Sequence, residues 1–349
     1  MSAFDPNAAA PKDSGIFGLP FTVANAKLVL LPVPWEATTS YGGGTSEAPS
    51  AIFEASHQVD LYDLDIHGIY EPGIAMRDED EEIVAWNIEA REAALRVIDA
   101  QGDEQTPELK ADLARVNELS KAVNARVHRD TAALLDAGKL VGLVGGDHSI
   151  PYGAFQAIAE RHTDFGILHI DAHSDTRDAY EGFEHSHASI MNNALKSFPQ
   201  LTKLVQVGIR DVCEQEMQLC AAEGDRVVVH TDRALSRQRF GGALWRDMAQ
   251  DIVAALPQKV WVSFDIDGLD PKYCPHTGTP VPGGLDYAEA VYLLTELVRQ
   301  KKTVLGFDLN EVSPSEDPMN EWDANVGARL LYKLCGVLLS SQGLARLID

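Results

Sequence analysis

Short apolar runs recur along the chain, each giving way to polar residues and turn signals. They are Lys27–Pro32, Leu140–Val144, Phe165–Ile170, Leu204–Val207, Val227–Val229, Val260–Phe264 and Val304–Leu309. Helical stretches alternate with them, and continuous runs of this kind predict a parallel sheet covered on both faces. Between the first two runs, residues from about 84 to 136 show helical periodicity. Trp86, Ile88, Ala93, Leu95 and Ile98 fall on one segment, followed by a polar break, Gln101 to Gln105. Pro107 then opens a long amphipathic helix with Leu109, Leu113, Val116, Leu119, Val123 and Val127 at three- and four-residue steps. Its charges read as a solvated face. The turn Tyr41 to Ser46 is Gly-rich but has neither G-x-G-x-x-G nor a P-loop lysine, so it predicts a tight turn before a helix at Ala48–Ala55. Residues 1–20, rich in Pro, Ala and Asp, read as a loosely held arm. No linker divides residues 21–349 and no internal repeat occurs, so they read as one α/β domain.

Charge narrows the partners. A formal net charge of −24 disfavours nucleic acid and anionic membranes and favours a cationic small molecule at long range. The four cysteines, Cys213, Cys220, Cys274 and Cys335, are scattered and show no zinc-finger spacing. No apolar run approaches the ~18 residues that a membrane span needs, and the opening residues do not read as a signal peptide. A cytoplasmic protein is expected.

The unusual residues fall where the apolar runs end. Gly145-Gly146-Asp147-His148-Ser149 follows Leu140–Val144, and Asp171-Ala172-His173-Ser174-Asp175 follows Phe165–Ile170. Ser263-Phe264-Asp265-Ile266-Asp267 ends Val260–Phe264, and Asn310-Glu311-Val312 follows Val304–Leu309. In a parallel sheet these strand ends share one rim, where open α/β sheets place their sites. Extended chain points residues i, i+2 and i+4 the same way. Asp171, His173 and Asp175 therefore project to one side, as do Asp265 and Asp267. With His148, this gathers four carboxylates and two imidazoles. Such carboxylates repel one another strongly, and two divalent cations would cancel their formal charge. Oxygen donors with two imidazoles suit Mn²⁺; Ni²⁺, Co²⁺ and Zn²⁺ also fit. The absence of thiolates argues against structural zinc. His169 reads as packed inside its strand, with alternation opposite to that of Asp171. Cys274 reads as loop packing and His276 as a surface histidine.

These motifs, with Asp270-Pro271 and Gly278-Thr279-Pro280-Val281-Pro282-Gly283-Gly284-Leu285, resemble the arginase–agmatinase (ureohydrolase) family over roughly residues 27–340. The resemblance implies a three-layer α/β fold with a central parallel eight-stranded sheet. It assigns one ion to His148, Asp171, Asp175 and Asp265, and the other to Asp171, His173, Asp265 and Asp267. Asp175 would orient the attacking water. Glu311 corresponds to the glutamate that pairs with the substrate guanidinium, and His187, rather than His185, to the proton-shuttling histidine. Both Glu311 and His187 would thus bind substrate. The stretch from Asp175 to His187 looks like the agmatinase branch and lacks the polar loop by which arginases hold an amino acid. Arg177 reads as structural. The helical stretch 84–136 departs from the pattern as an extended insertion, and related members with such insertions include hydrolases of guanidine and alkylguanidines.

The resemblance thus implies hydrolysis of an agmatine-like or guanidine-like cation to urea plus an amine or ammonia. The expected cofactor is two Mn²⁺ or Ni²⁺ ions per subunit, and the expected assembly is a homo-oligomer, trimer or hexamer. Competing readings are a formiminoglutamate-type hydrolase, whose anionic substrate would need a cation such as Arg177, and a non-catalytic partner subunit. Deacetylases share the architecture with a single zinc and do not need the second-ion set.

Overall fold

The structure, a computed structural model, describes residues 4–11, 13–100 and 106–348; the polar break at 101–105 lies outside the described residues. Every apolar run forms a strand. Among the described residues ten strands occur in chain order: β1 (Leu28–Val33), β2 (Ile66–His67), β3 (Ile74–Met76), β4 (Leu140–Gly145), β5 (Phe165–Ile170), β6 (Leu201–Ile209), β7 (Val227–Thr231), β8 (Lys259–Asp265), β9 (Thr303–Asn310) and β10 (Arg346–Leu347). Eight build one sheet in the order β3-β1-β4-β9-β8-β5-β6-β7, and every pairing in it is parallel. β2 and β10 form a separate antiparallel pair. The apolar pattern passes over β3, which has only three residues and lies at the sheet edge.

Helices cover both faces. They are α1 (Ala48–Ser56), α2 (Glu81–Asp99), α3 (Pro107–Asp136), α4 (Tyr152–Ala159), α5 (Ile190–Ser197), α6 (Glu214–Ala222), α7 (Asp232–Phe240), α8 (Trp245–Ala254), α9 (Tyr287–Arg299) and α10 (Trp322–Ser341). Alternate residues of β1 serve opposite layers: Leu28 and Leu30 pack with α1, α8, α9 and α10. Val29, Leu31 and Val33 pack with α2, α3, α4 and α5. This is the expected three-layer architecture. Among the described residues, no helix is long and apolar enough to cross a membrane.

Two expectations need correction. The arm is tied down at its inner end: Ile16, Phe17 and Leu19 are buried, Phe17 N–H donates to Ser56 Oγ at 2.9 Å, and its ring meets that of Tyr332 edge-on. In α2 the buried residues are Ile83, Asn87, Ala90, Ala93, Ala94 and Val97, so of those named Ala93 is buried while Ile88 and Leu95 face outward. Small residues let α2 lie close to α3, so the bulky ones are left outside. Thr106 caps α3 by accepting from Leu109 N–H at 3.2 Å, with Pro107 at the first helical position.

The central strands approach closely. A Cβ on Gly142 of β4 would lie 2.4 Å from the Phe307 ring of β9, so that ring occupies the space the glycine leaves. Phe307→Ala is expected to destabilise the protein by about 3–5 kcal/mol. A lowered urea midpoint with unchanged slope would report this loss; an unmoved midpoint would show that the ring does not fill the core.

Candidate active site

All eight strands run the same way, so their carboxyl ends meet along one rim. Close backbone approach shapes it. Asp147 N–H donates to the Trp35 carbonyl at 2.7 Å, and a Cβ on Gly146 would sit 1.9 Å from that oxygen, so only glycine fits. Gly146 in turn accepts from Glu311 N–H at 2.8 Å, tying the ends of β4 and β9 together. Asp175 and Glu311 both hold left-handed backbone, at φ 54° and 61°. For residues with a Cβ this costs free energy, and such strain gathers where side chains are aimed for function.

The acids expected at the rim converge, and they are buried. Relative exposure is 0% for Asp171, 4% for Asp175 and 3% for Asp265 and Asp267. His148 Nδ1 lies 3.0 Å from Asp171 Oδ2, 3.2 Å from Asp175 Oδ2 and 3.3 Å from Asp265 Oδ2. His173 Nδ1 lies 3.0 Å from Asp267 Oδ2 and 3.5 Å from Asp171 Oδ1. Donor atoms of His148, His169, Asp171 and Asp175 all lie within 4.8 Å of one another, as do those of Asp171, His173 and Asp267, so Asp171 is common to both groups. Asp265 joins neither group but reaches His148, and its Oδ1 accepts from Asp267 N–H at 2.8 Å.

Burial and like charge perturb these acids. Burial, then the Asp171 charge, pushes the Asp175 carboxyl up to about 6. Burial and the charges of Asp267 and Asp171 raise Asp265 well above the usual carboxylate range. Burial alone would lower His148 and His173, but the surrounding carboxylates outweigh it and hold both imidazoles as cations. Protons on imidazole thus stand where metal ions would, and the donor set of hard oxygens and two imidazoles suits divalent cations.

Beneath these groups runs a buried polar row that crosses four strands. His169 pairs laterally with Gln206 on β6 and with Ser263 on β8, and Ser263 pairs with Asp308 on β9. All four are fully buried. Gln206 Nε2 donates to the Ser174 carbonyl at 2.7 Å, which identifies the amide nitrogen, and lies 3.0 Å from His169 Nδ1. His169 Nδ1 therefore accepts, and Nε2–H donates to Asp171 Oδ2 at 2.7 Å. Ser263 Oγ donates to Asp308 Oδ1 at 2.7 Å, so it accepts from His148 Nε2 at 2.8 Å. That leaves His148 Nδ1 facing the acids. Asp308 also accepts from Trp261 Nε1 and Asn310 Nδ2. Outer hydrogen bonds of this kind orient metal-binding imidazoles. The expected packing of His169 is right but its alternation is wrong: residues 169 and 171, two apart, share one side of extended chain.

His187 and Glu311 flank the cluster. Burial, then the charges of His173 and His148, pushes His187 down to about 3, so its ring is neutral near pH 7 rather than titrating there. Its Nδ1 lies 3.3 Å from Thr38 Oγ1 and its Nε2 3.5 Å from Ser40 Oγ. His185 instead packs its ring against Tyr152. Glu311 Oε1 accepts from His148 N–H at 2.9 Å, while its buried Oε2 has no partner. Burial and the neighbouring Asp147 charge raise the Glu311 carboxyl well above its usual range. Arg177 lies 3.6 Å from buried Glu216 and stacks on Tyr180, and His276 pairs with buried Asp323 at 2.8 Å. Gln206, Asp308, Thr38 and Ser40 were not singled out in the sequence. Asp308 alone carried a signal, a carboxylate inside the apolar run of β9.

Comparison with known proteins gives the family. The Arginase family profile matches residues 26–336, and the chain belongs to that family, whose centre binds two divalent metal ions. It is a metal-dependent ureohydrolase acting on guanidino compounds. It is 32% identical over 324 residues to an N(1)-aminopropylagmatine ureohydrolase of Synechocystis, covering 91% of each chain. It is 28% identical to an agmatinase of Pyrococcus horikoshii, covering 90% of this chain and 93% of the other. The solved proclavaminate amidino hydrolase of Streptomyces clavuligerus shares the fold, with a TM-score of 0.71 at 23% identity, covering 96% of this chain and all of that one (100%).

Because protons occupy the cluster, metal loading must expel them. Mn²⁺ titrated into metal-free protein is expected to release protons and to bind more tightly above pH 6, where Asp175 is ionised, than below it. Calorimetry in buffers of different ionisation enthalpy measures both; affinity that ignores pH would contradict the assignment.

Proposed function

We propose that this chain cleaves the C–N bond of a small cationic guanidino compound to give urea and an amine, or urea and ammonia. The observation that carries the reading is Glu311 Oε2, a buried carboxylate oxygen without a partner beside a cluster of metal-type donors. A guanidinium is a planar cation whose paired N–H groups suit that oxygen. His148, Asp171, Asp175 and Asp265 would hold one divalent ion and Asp171, His173, Asp265 and Asp267 the other, as Mn²⁺ or Ni²⁺. When bound, such a pair supplies a strong oxygen nucleophile near neutral pH.

The chain's own residues do the rest. Glu311 orients the guanidinium with its carbon toward the cluster. Asp175 accepts a hydrogen bond from the attacking water and fixes its direction. Water adds oxygen to the central carbon, and the C–N bond to the leaving nitrogen breaks. That nitrogen must be protonated before it departs. His187, neutral at the outset, takes up the proton the water gives and passes it to the leaving nitrogen. Thr38 and Ser40 hold the ring for both transfers. The acidic surface favours a cationic substrate. An anionic, formiminoglutamate-like substrate is less suited, because Arg177 is committed to Glu216 and Tyr180. A cytoplasmic homo-oligomer, trimer or hexamer, remains part of the reading.

The test is urea release from guanidine, methylguanidine, agmatine, N(1)-aminopropylagmatine, guanidinobutyrate and arginine, with protein loaded separately with Mn²⁺ and Ni²⁺. Urea from at least one cationic member is expected; none from any member would end the proposal. Glu311→Gln should lower kcat/KM by roughly ten- to a hundredfold, the scale of a hydrogen bond to a charged group. An unchanged value would mean that the guanidinium lies elsewhere. His187→Ala should lower kcat by roughly 10²–10⁴-fold with metal content retained; full activity would assign the proton transfer to another group.

A further inference from the structure

Helix α2 lies outside every strand-end motif, yet it reaches the wall of the site. Asn87 and Arg91 stand one turn apart and so share a face of α2. Asn87 Oδ1 accepts from Glu36 N–H at 2.7 Å. Arg91 Nη1 donates to the carbonyls of Ala37 at 3.3 Å and Thr39 at 2.5 Å, and Nη2 to that of Gly42 at 3.1 Å. Two side chains thus satisfy four backbone groups of a single loop, residues 36–42. Glu36 also closes the loop on itself, accepting from Thr45 Oγ1 at 3.3 Å and Ser46 N–H at 3.2 Å.

The inner side of the loop faces the groups assigned to chemistry. Thr38 and Ser40 contact the two ring nitrogens of His187. Gly42 abuts Gly278 so closely that a Cβ on Gly42 would lie 2.3 Å from the Gly278 carbonyl oxygen. A Cβ on Gly278 would lie 2.9 Å from Thr39 Cγ2 and 3.4 Å from Glu311 Oε2. Thr39 of the loop and the unpartnered carboxylate oxygen thus border the same space beside Gly278, while Tyr41 on the loop's outer side is 73% exposed.

We propose that Asn87 and Arg91 are positioning residues that clamp loop 36–42 over the guanidinium end of the site and thereby set a preference for guanidino compounds with short tails. This rests on the proposed function. A substrate without a tail is placed only by its head-group contacts, whereas a long substrate also draws binding energy from its tail. A loosened loop should therefore harm the shortest substrate most. Lysine can replace one of the arginine's hydrogen bonds but not the fork.

The experiment compares wild type, Arg91→Met, Arg91→Lys and Asn87→Ala, each with measured metal content and melting temperature. In Arg91→Met, the ratio of kcat/KM for guanidine and methylguanidine to that for agmatine and N(1)-aminopropylagmatine should fall at least roughly tenfold. Metal content should hold, and Lys should restore part of the ratio. Equal losses on all four substrates, or none, would overturn the selectivity. Hydrogen exchange of the substrate-free protein reads the clamp separately: amides of residues 36–44 should exchange at least roughly tenfold faster in Arg91→Met. Unchanged exchange would overturn the clamp. If wild type releases urea from none of the four, the functional reading and the selectivity fall together, and the exchange result still judges the clamp. Should Arg91→Met fail to fold, Asn87→Ala, which removes a single hydrogen bond, carries the same two tests.

Discussion

Four carboxylates withdrawn from water at the ends of two neighbouring strands are the constraint around which this molecule is organised. Burying like charges together is unfavourable unless positive charge lies between them. The carboxylates in turn hold His148 and His173 as cations, and burial with like charges nearby raises Asp175 and Asp265. Divalent cations meet that need more completely, because one ion can engage several carboxylates at once. The remaining features of the rim read as consequences. Asp175 and Glu311 hold strained backbone to aim their side chains, and glycine at 146 lets β4 lie close enough to Trp35 for the neighbouring His148 to reach the cluster.

The polar row Gln206–His169–Ser263–Asp308 shows how a parallel sheet can support such a site. Each member stands two residues before a rim position on its own strand, so it faces the same side one layer deeper. The row's hydrogen bonds run sideways, in register, and fix the orientation of the His148 and His169 rings. Core strands usually carry only apolar side chains at this depth, and this row is accepted because each member finds a partner.

The sheet, its rim and the carboxylate cluster were legible in the sequence because acids and histidines at the ends of apolar runs break the expected pattern; extended-chain alternation does not place them, because Ile266–Gly268 form a 3-10 turn and Asp175 is left-handed. The lateral partners were not legible. Gln206 lies well inside β6, and its link to His169 depends on strand order and register, which one sequence does not display. β3 escaped because three residues carry no periodicity. In α2 the bulky residues drew attention, whereas packing selected alanines. The role of Arg91 was hidden for a related reason: its partners are backbone carbonyls, which no residue pattern marks.

The proposed role of this acidic cluster is to hold a pair of divalent cations. The most direct measurement is anomalous diffraction at the manganese edge from crystals grown with Mn²⁺. Two peaks per chain are expected, with His148 near one and His173 near the other. A single peak, or none, in fully loaded crystals would contradict that role.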